Sequence, residues 1–138
     1  MNDIEIEKKN STIVITLQRE RVLNALNLNM VRNIYSQINN WELDDSVSGV
    51  LIKGAGEKAF CAGGDVISVA CQKTPSNVKF FRCEYELNYK IAQLSKPHIA
   101  ILDGYTMGGG VGLSCHGSFR IATDVRLLIC LLTIRFLI

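Results

Sequence analysis

The chain has 138 residues, 48% of them hydrophobic, which suits one globular domain or a piece of one. Its 15 basic and 13 acidic residues give a net charge of +2 and are scattered along the chain, which argues against a nucleic-acid partner. The five cysteines lack the spacing of a zinc site and indicate a reduced, intracellular protein, and no apolar run reaches the roughly 20 residues of a membrane span.

The first half of the chain predicts a hairpin, a helix and a strand. Ile4 and Ile6 alternate with charged residues, and a β-branched run follows from 12 to 17. Apolar residues then recur at steps of three and four, which predicts an amphipathic helix with one face formed by Leu28, Val31, Ile34, Tyr35, Ile38 and Trp41. An apolar strand at 49–53 and a loop of small residues at 54–65 follow.

The second half predicts another helix and two more strands. The helix should run from about Asn77 to Ser95 and end before Pro97, with a face made of Phe81, Glu84, Leu87, Ile91 and Leu94. Strands are predicted at 98–102 and 119–123, with a glycine-rich stretch at 104–112 between them. Strands separated by helices indicate α/β architecture with largely parallel pairing.

Two glycine-rich loops, 59–65 and 104–112, each follow an apolar strand. Glycines between a strand and a helix leave backbone N–H groups uncovered at a positive helix end, where they can hold an anion. If both loops lie at the same edge of the sheet, one N–H from each could form an oxyanion hole. The alternative is that the glycines only permit tight turns and close packing.

Three other site classes fit the sequence poorly. No register through 104–117 gives GxGxxG, and the glycines at 49–54 lack the lysine of a phosphate loop. Residues 112–117 approach the GxSxG nucleophile elbow, but the second glycine is one position late and no histidine follows His116. Ser114 and His116 are therefore interpreted as ordinary polar residues at the end of a buried helix.

The sequence KAFCAGGD at 58–65 resembles the first signature loop of the crotonase, or enoyl-CoA hydratase/isomerase, superfamily, and RVLNALN at 21–27 resembles its N-terminal CoA-contacting segment. The segments 80–88, 107–117 and 119–123 are similar to the 3-hydroxyisobutyryl-CoA hydrolase branch. The resemblance implies an α/β crotonase-type spiral of ββα units. We expect this fold to be truncated here, with residues 1–124 as its N-terminal part and residues 125–138 as an aberrant apolar tail.

The resemblance also implies a set of site residues. The two oxyanion N–H donors fall on Gly64 and Gly109, with Gly109 also contacting substrate, and Glu84 would bind the hydroxyl of the acyl group. Contacts to coenzyme A are implied for Arg21, Val22, Leu23 and Ala62. Coenzyme A is part of the substrate, and neither a metal nor a redox cofactor is expected.

The implied activity is hydrolysis of a short branched 3-hydroxyacyl-CoA in valine breakdown. Simple hydration is disfavoured, because Gly112 stands where the hydratases carry a catalytic glutamate. No Asp or Glu follows Asp124, so the catalytic carboxylates of the branch are absent and we expect the chain to be inactive. A non-catalytic or unstable CoA-binding fragment, or another crotonase activity, stays open.

The resemblance further implies an acyl-CoA partner, a possible homo-oligomer and a mitochondrial or peroxisomal location. The N-terminus shows neither a secretory apolar region nor an arginine-rich transit peptide. We expect no membrane partner.

Overall fold

The computed structural model describes residues 3–67, 76–124 and 127–129. In these ranges the chain forms the α-helices α1 Leu28–Glu42, α2 Ser76–Ala92 and α3 Gly109–Cys115, and a 3-10 turn at Glu20–Val22. The strands of the same ranges are β1 Ile4–Lys9, β2 Thr12–Leu17, β3 Gly49–Gly54, β4 Ala59–Cys61, β5 His98–Leu102, β6 Tyr105–Met107, β7 Phe119–Ala122 and β8 Leu127–Ile129.

The larger sheet has the order β1-β2-β3-β5-β7. Only β1 and β2 pair antiparallel, as the predicted hairpin, and Asn10 at the turn adopts a left-handed φ of 55°. The other neighbours are parallel. The predicted α/β architecture with largely parallel pairing is therefore confirmed.

A second, three-stranded sheet has the parallel order β4-β6-β8. Both β4 and β6 lie inside segments that were predicted as loops, because three-residue strands are too short to show a two-residue period. Strand β8 falls within the predicted tail at 125–138. The rest of that tail, apart from 127–129, lies outside the described residues.

Helix α1 is confirmed, with a face that differs from the predicted one at two positions: Tyr35 is 37% exposed, and Met30 is buried in addition. Asn27 caps it, accepting a hydrogen bond from the Met30 N–H at 2.9 Å. The side chains that it buries are Met30, Val31, Ile34, Ile38 and Trp41.

Helix α2 corrects the prediction in two respects. It ends at Ala92, before the predicted Ser95. Its buried face begins with Phe80, which is 3% exposed, whereas Phe81 is 46% exposed. Phe80 lies four residues before Glu84 and packs against Gly64, where an added Cβ would be 2.9 Å from its ring. The glycine loop thus decides which phenylalanine faces inward.

The parallel pairing of β4 with β6 sets the position of the two glycine-rich loops. Ala59 pairs with Tyr105 and Cys61 with Thr106, so the carboxyl ends of the two strands are neighbours. Each strand leads directly into one of the loops. The loops therefore leave the sheet at the same edge, as the sequence argument required.

Candidate functional site

The two glycine-rich loops contact each other just past the ends of β4 and β6. A Cβ added to Gly63 would lie 3.1 Å from the Met107 carbonyl oxygen and 3.3 Å from the Gly109 nitrogen. Gly63 also has a φ of 95°, a conformation that side chains disfavour. Glycine at this position is what allows the first loop to approach the start of α3.

The backbone N–H groups of Gly64 and Gly109 donate to no protein acceptor in the described part of the chain. Gly64 forms a parallel bridge with Leu26, in which the flanking Gly63 carbonyl and Asp65 N–H bond to Leu26 at 2.7 and 2.8 Å. In such a bridge the N–H of the central residue points away from the partner segment. Gly109 is the first residue of α3, where the N–H has no partner within the helix. Convergence of the two N–H groups on one point stays a prediction.

Glu84 projects from α2 toward the second loop. It is 6% exposed, and its Oε1 occupies the space that a side chain at Gly109 would need. Its carboxyl group forms no hydrogen bond or ion pair with any described residue. Burial raises the pKa of Glu84 above that of a free glutamate. A buried carboxyl group without a protein partner, beside uncovered backbone donors, can accept a hydrogen bond from a ligand or donate one when protonated.

The N-terminal segment docks onto the first loop through its backbone. The Ala62 N–H donates to the Leu23 carbonyl at 2.9 Å, so the structure brings these two predicted CoA contacts together. Arg21 and Val22 lie next to them in an exposed 3-10 turn.

A cavity of about 590 Å³ opens beside this turn. It is lined by Glu20, Arg21, Leu23, Asn24 and the segment from Ala55 to Ala59. Val22 and Ala62 are not among its lining residues. The structure therefore places two of the four predicted CoA contacts on this cavity, and the other two on its flanks.

Sequence reasoning missed two residues that hold this segment in place. The Arg19 guanidinium donates to the Ala25 carbonyl at 2.7 Å and to the Asp65 carboxylate at 2.9 Å. Asn24, 1% exposed, accepts from the Arg19 N–H at 2.9 Å and donates to the carbonyls of Ala55 and Ala59 at 2.9 and 2.8 Å. Asn24 lies in the segment RVLNALN at 21–27, but the sequence of that segment does not show whether an amide side chain bonds to the protein or to a ligand.

Other site classes find little support within the described ranges. No three His, Cys, Asp or Glu side chains cluster there to hold a metal ion, and no helix there is long and apolar enough to cross a bilayer. Ser114 is buried and donates to the Val111 carbonyl at 3.0 Å, whereas His116 is exposed.

The sheet order and the abutting glycine loops define a crotonase-type α/β chain. Carnitinyl-CoA dehydratase from Mycobacterium thermoresistibile superposes with a TM-score of 0.90 at 37% identity, over 94% of this chain and 39% of that one. Enoyl-CoA hydratase from Bacillus anthracis gives 0.88 at 29% identity, over 94% of this chain and 50% of the other. The model of the enoyl-CoA hydratase/isomerase family matches residues 12–128, and the chain belongs to this family.

Curated relatives narrow the similarity within the family. The mitochondrial 3-hydroxyisobutyryl-CoA hydrolase of Danio rerio is 50% identical over 129 residues, which are 91% of this chain and 34% of the relative. The protein of that name in Homo sapiens is 50% identical over 125 residues, or 88% and 32%. The chain spans about a third of the length of these relatives.

Proposed function

We propose that this chain binds a short branched 3-hydroxyacyl-CoA, with 3-hydroxyisobutyryl-CoA of valine breakdown as the first candidate, and that it serves hydrolysis of the thioester. The observation that carries the proposal is the buried Glu84 carboxyl group, which has no partner among the described residues and lies against Gly109. The hydroxyl of a 3-hydroxyacyl group would be the hydrogen-bond partner that this carboxyl group lacks. The names of relatives at 50% identity support this choice of substrate.

The backbone amides of Gly64 and Gly109 would bind the thioester carbonyl oxygen. Both are uncovered, and their loops are in contact at the edge where β4 and β6 end. Donors fixed in this way stabilise the negative charge that develops on the oxygen when the carbonyl is attacked. One such donor typically contributes about 10²- to 10³-fold in rate.

The coenzyme A part would lie along the N-terminal segment and the first loop. The cavity of about 590 Å³ is within the usual size range of ligand sites. Arg21 and Lys58 at its walls could meet phosphate groups, and Leu23 could contact the adenine or the pantetheine. Val22 and Ala62 would extend this contact toward the thioester.

Acyl transfer to water also needs a carboxylate that acts as nucleophile or general base. The described residues would bind the acyl-CoA and polarise its carbonyl. The mitochondrial relatives make mitochondria the proposed location.

Ligand binding tests the proposal. The affinities of 3-hydroxyisobutyryl-CoA and isobutyryl-CoA, which differ by the one hydroxyl, are measured by calorimetry on the purified chain and on Glu84→Gln. A hydrogen bond to an ionised group contributes about 1.5–3 kcal/mol, so the unmodified chain should prefer the hydroxylated ligand by at least about tenfold. Glu84→Gln should lose most of this preference and keep its affinity for isobutyryl-CoA.

Glu86→Gln is the matched control, because Glu86 is exposed on the same helix and its partner among the described residues is the exposed Arg82 at 3.0 Å. It should keep the full preference. Failure of the folded chain to bind any CoA ester would refute the proposed function. A preference that survives Glu84→Gln would refute the role of Glu84.

A further inference from the structure

Glu84 has a polar neighbour one helical turn further along α2. Asn88 lies four residues after Glu84, so the two side chains share a face of the helix, with Cβ atoms roughly 5–6 Å apart. The partners of this face are glycines one turn apart on α3. Glu84 lies against Gly109, and Asn88 lies against Gly112.

The Asn88 amide fills the space beside Gly112. A Cβ added at this glycine would lie 2.5 Å from Asn88 Nδ2, 3.0 Å from Oδ1 and 3.1 Å from Cγ. Because all three atoms are too close, a small rotation of the amide would not make room. Gly112 lies inside α3, where any residue can adopt the backbone conformation. Glycine at this position therefore serves to admit the amide of Asn88.

The amide has no hydrogen-bond partner among the described residues. Its Oδ1 is fully buried and unpaired, and its Nδ2 donates to no described residue. A buried polar group without a hydrogen-bond partner destabilises the folded chain. An apolar side chain of similar size would avoid this destabilisation. The presence of asparagine at position 88 therefore suggests that a ligand forms the hydrogen bonds that the protein does not.

One hydroxyl group can satisfy Glu84 and Asn88 together. A hydroxyl has one donor hydrogen and two acceptor lone pairs, so it can donate to a carboxylate and accept from an amide N–H at the same time. An amide can present either its nitrogen or its oxygen by rotating through a half turn.

We propose that Asn88 is a second specificity-determining residue. With its amide rotated by a half turn, Nδ2 takes the buried position of the unpaired Oδ1 and donates to the acyl hydroxyl, while Glu84 accepts a hydrogen bond from that hydroxyl. The inference rests on the proposed function, because it takes the ligand to be a 3-hydroxyacyl-CoA. Asn88 would be a second residue, besides Glu84, that hydrogen-bonds the acyl hydroxyl. Gly112 would then have a function, which is to make space for the Asn88 side chain.

The test measures the ratio of affinities for 3-hydroxyisobutyryl-CoA and isobutyryl-CoA in Asn88→Leu and Asn88→Asp. Leucine has a similar volume and no polar atom, and aspartate keeps the shape while removing the donor. Both variants should reduce the preference for the hydroxylated ligand by about fivefold to tenfold, as loss of one hydrogen bond of about 1 kcal/mol or slightly more implies. Asn40→Leu, at an exposed position of α1, is the matched control and should keep the ratio.

Stability separates recognition from a structural role. Asn88→Leu should leave the midpoint of urea unfolding unchanged or raise it, because it removes an unsatisfied polar group. A lower midpoint with an unchanged affinity ratio would overturn the inference and make Asn88 a packing residue. A ratio retained in Asn88→Asp would overturn the role of the N–H donor.

The two proposals can fail separately. A ratio that is lost in Glu84→Gln but retained in Asn88→Leu overturns the assignment of Asn88 alone. Absence of binding by every CoA ester overturns the proposed function and this inference with it.

Discussion

Replacement of Asn24 should show how much the N-terminal segment depends on one side chain. Its amide makes three hydrogen bonds of 2.8–2.9 Å, which tie the Arg19 N–H to the carbonyls of Ala55 and Ala59. At about 1 kcal/mol each, loss of these bonds should lower the free energy of unfolding by about 3 kcal/mol. Asn24 also has a φ of 56°, which costs alanine about 1–2 kcal/mol. We expect Asn24→Ala to lose about 4 kcal/mol in total.

Asn24→Gly separates the loss of the hydrogen bonds from the cost of the positive φ, because glycine adopts a positive φ freely. Glycine increases the entropy of the unfolded chain, which costs about 0.5–1 kcal/mol. The glycine variant should therefore be about 0.5–1 kcal/mol more stable than the alanine variant.

Urea unfolding followed by tryptophan fluorescence measures these losses, since Trp41 is the single tryptophan and is 6% exposed. With a slope near 2 kcal/mol per molar urea, the midpoint of Asn24→Ala should fall by about 2 M. Asn29→Ala, at an exposed position in α1, is the control and should stay within about 0.5 kcal/mol. Losses below about 1 kcal/mol in both Asn24 variants would refute the reasoning, as would an alanine variant more stable than the glycine variant.

Two further predictions concern buried titratable groups. Burial lowers the pKa of His98 to about 4, and its Nδ1 has no partner among the described residues. The unfolded chain binds a proton near pH 6.5, so the stability that the neutral imidazole contributes is present above pH 6.5 and should fall by about 3 kcal/mol as the pH drops to 4. Unfolding at several pH values should show a shallower decline in His98→Gln than in the unmodified chain or in His116→Gln, and equal slopes in all three would contradict the assignment. Burial also raises the pKa of the Cys61 thiol to about 12, so iodoacetamide at pH 8 should alkylate the half-buried Cys83 and Cys115 well before Cys61, as followed by mass spectrometry. Rapid labelling of Cys61 in the folded protein would mean that the first loop opens.

The sequence predicted those parts of the fold in which a periodic pattern is long. Helix α1 and strands β2 and β5 follow from regular apolar steps, and the α/β class follows from their order. Whether the two glycine loops lie at one sheet edge stays open in the sequence, and the parallel pairing of β4 with β6 places them there. Glu84 is named as a site residue by the family resemblance, and its burial agrees with its place in the predicted apolar stripe of the helix.

The parts that the sequence could not predict depend on contacts between elements. Phe80 and Phe81 lie four and three residues before Glu84, so both fit its helical face, and only contact with Gly64 selects Phe80. Strands β4 and β6 have three residues each and show no period. Asn24 appeared as part of a CoA-contacting segment, whereas its three hydrogen bonds are all to the protein itself.

The glycines of the second loop show most clearly what a short motif does not predict. From the sequence, they were interpreted as a source of free backbone donors, and Gly109 fits that interpretation as the uncovered first residue of α3. The alternative of close packing also holds, because Gly109 and Gly112 clear the space that Glu84 and Asn88 occupy. A side chain at either position would push a polar group of α2 away from α3. The same short motif can therefore provide a backbone donor and admit the two side chains that flank it, so a substitution of Gly112 should act on the acyl group through Asn88 and leave the Gly109 N–H in place.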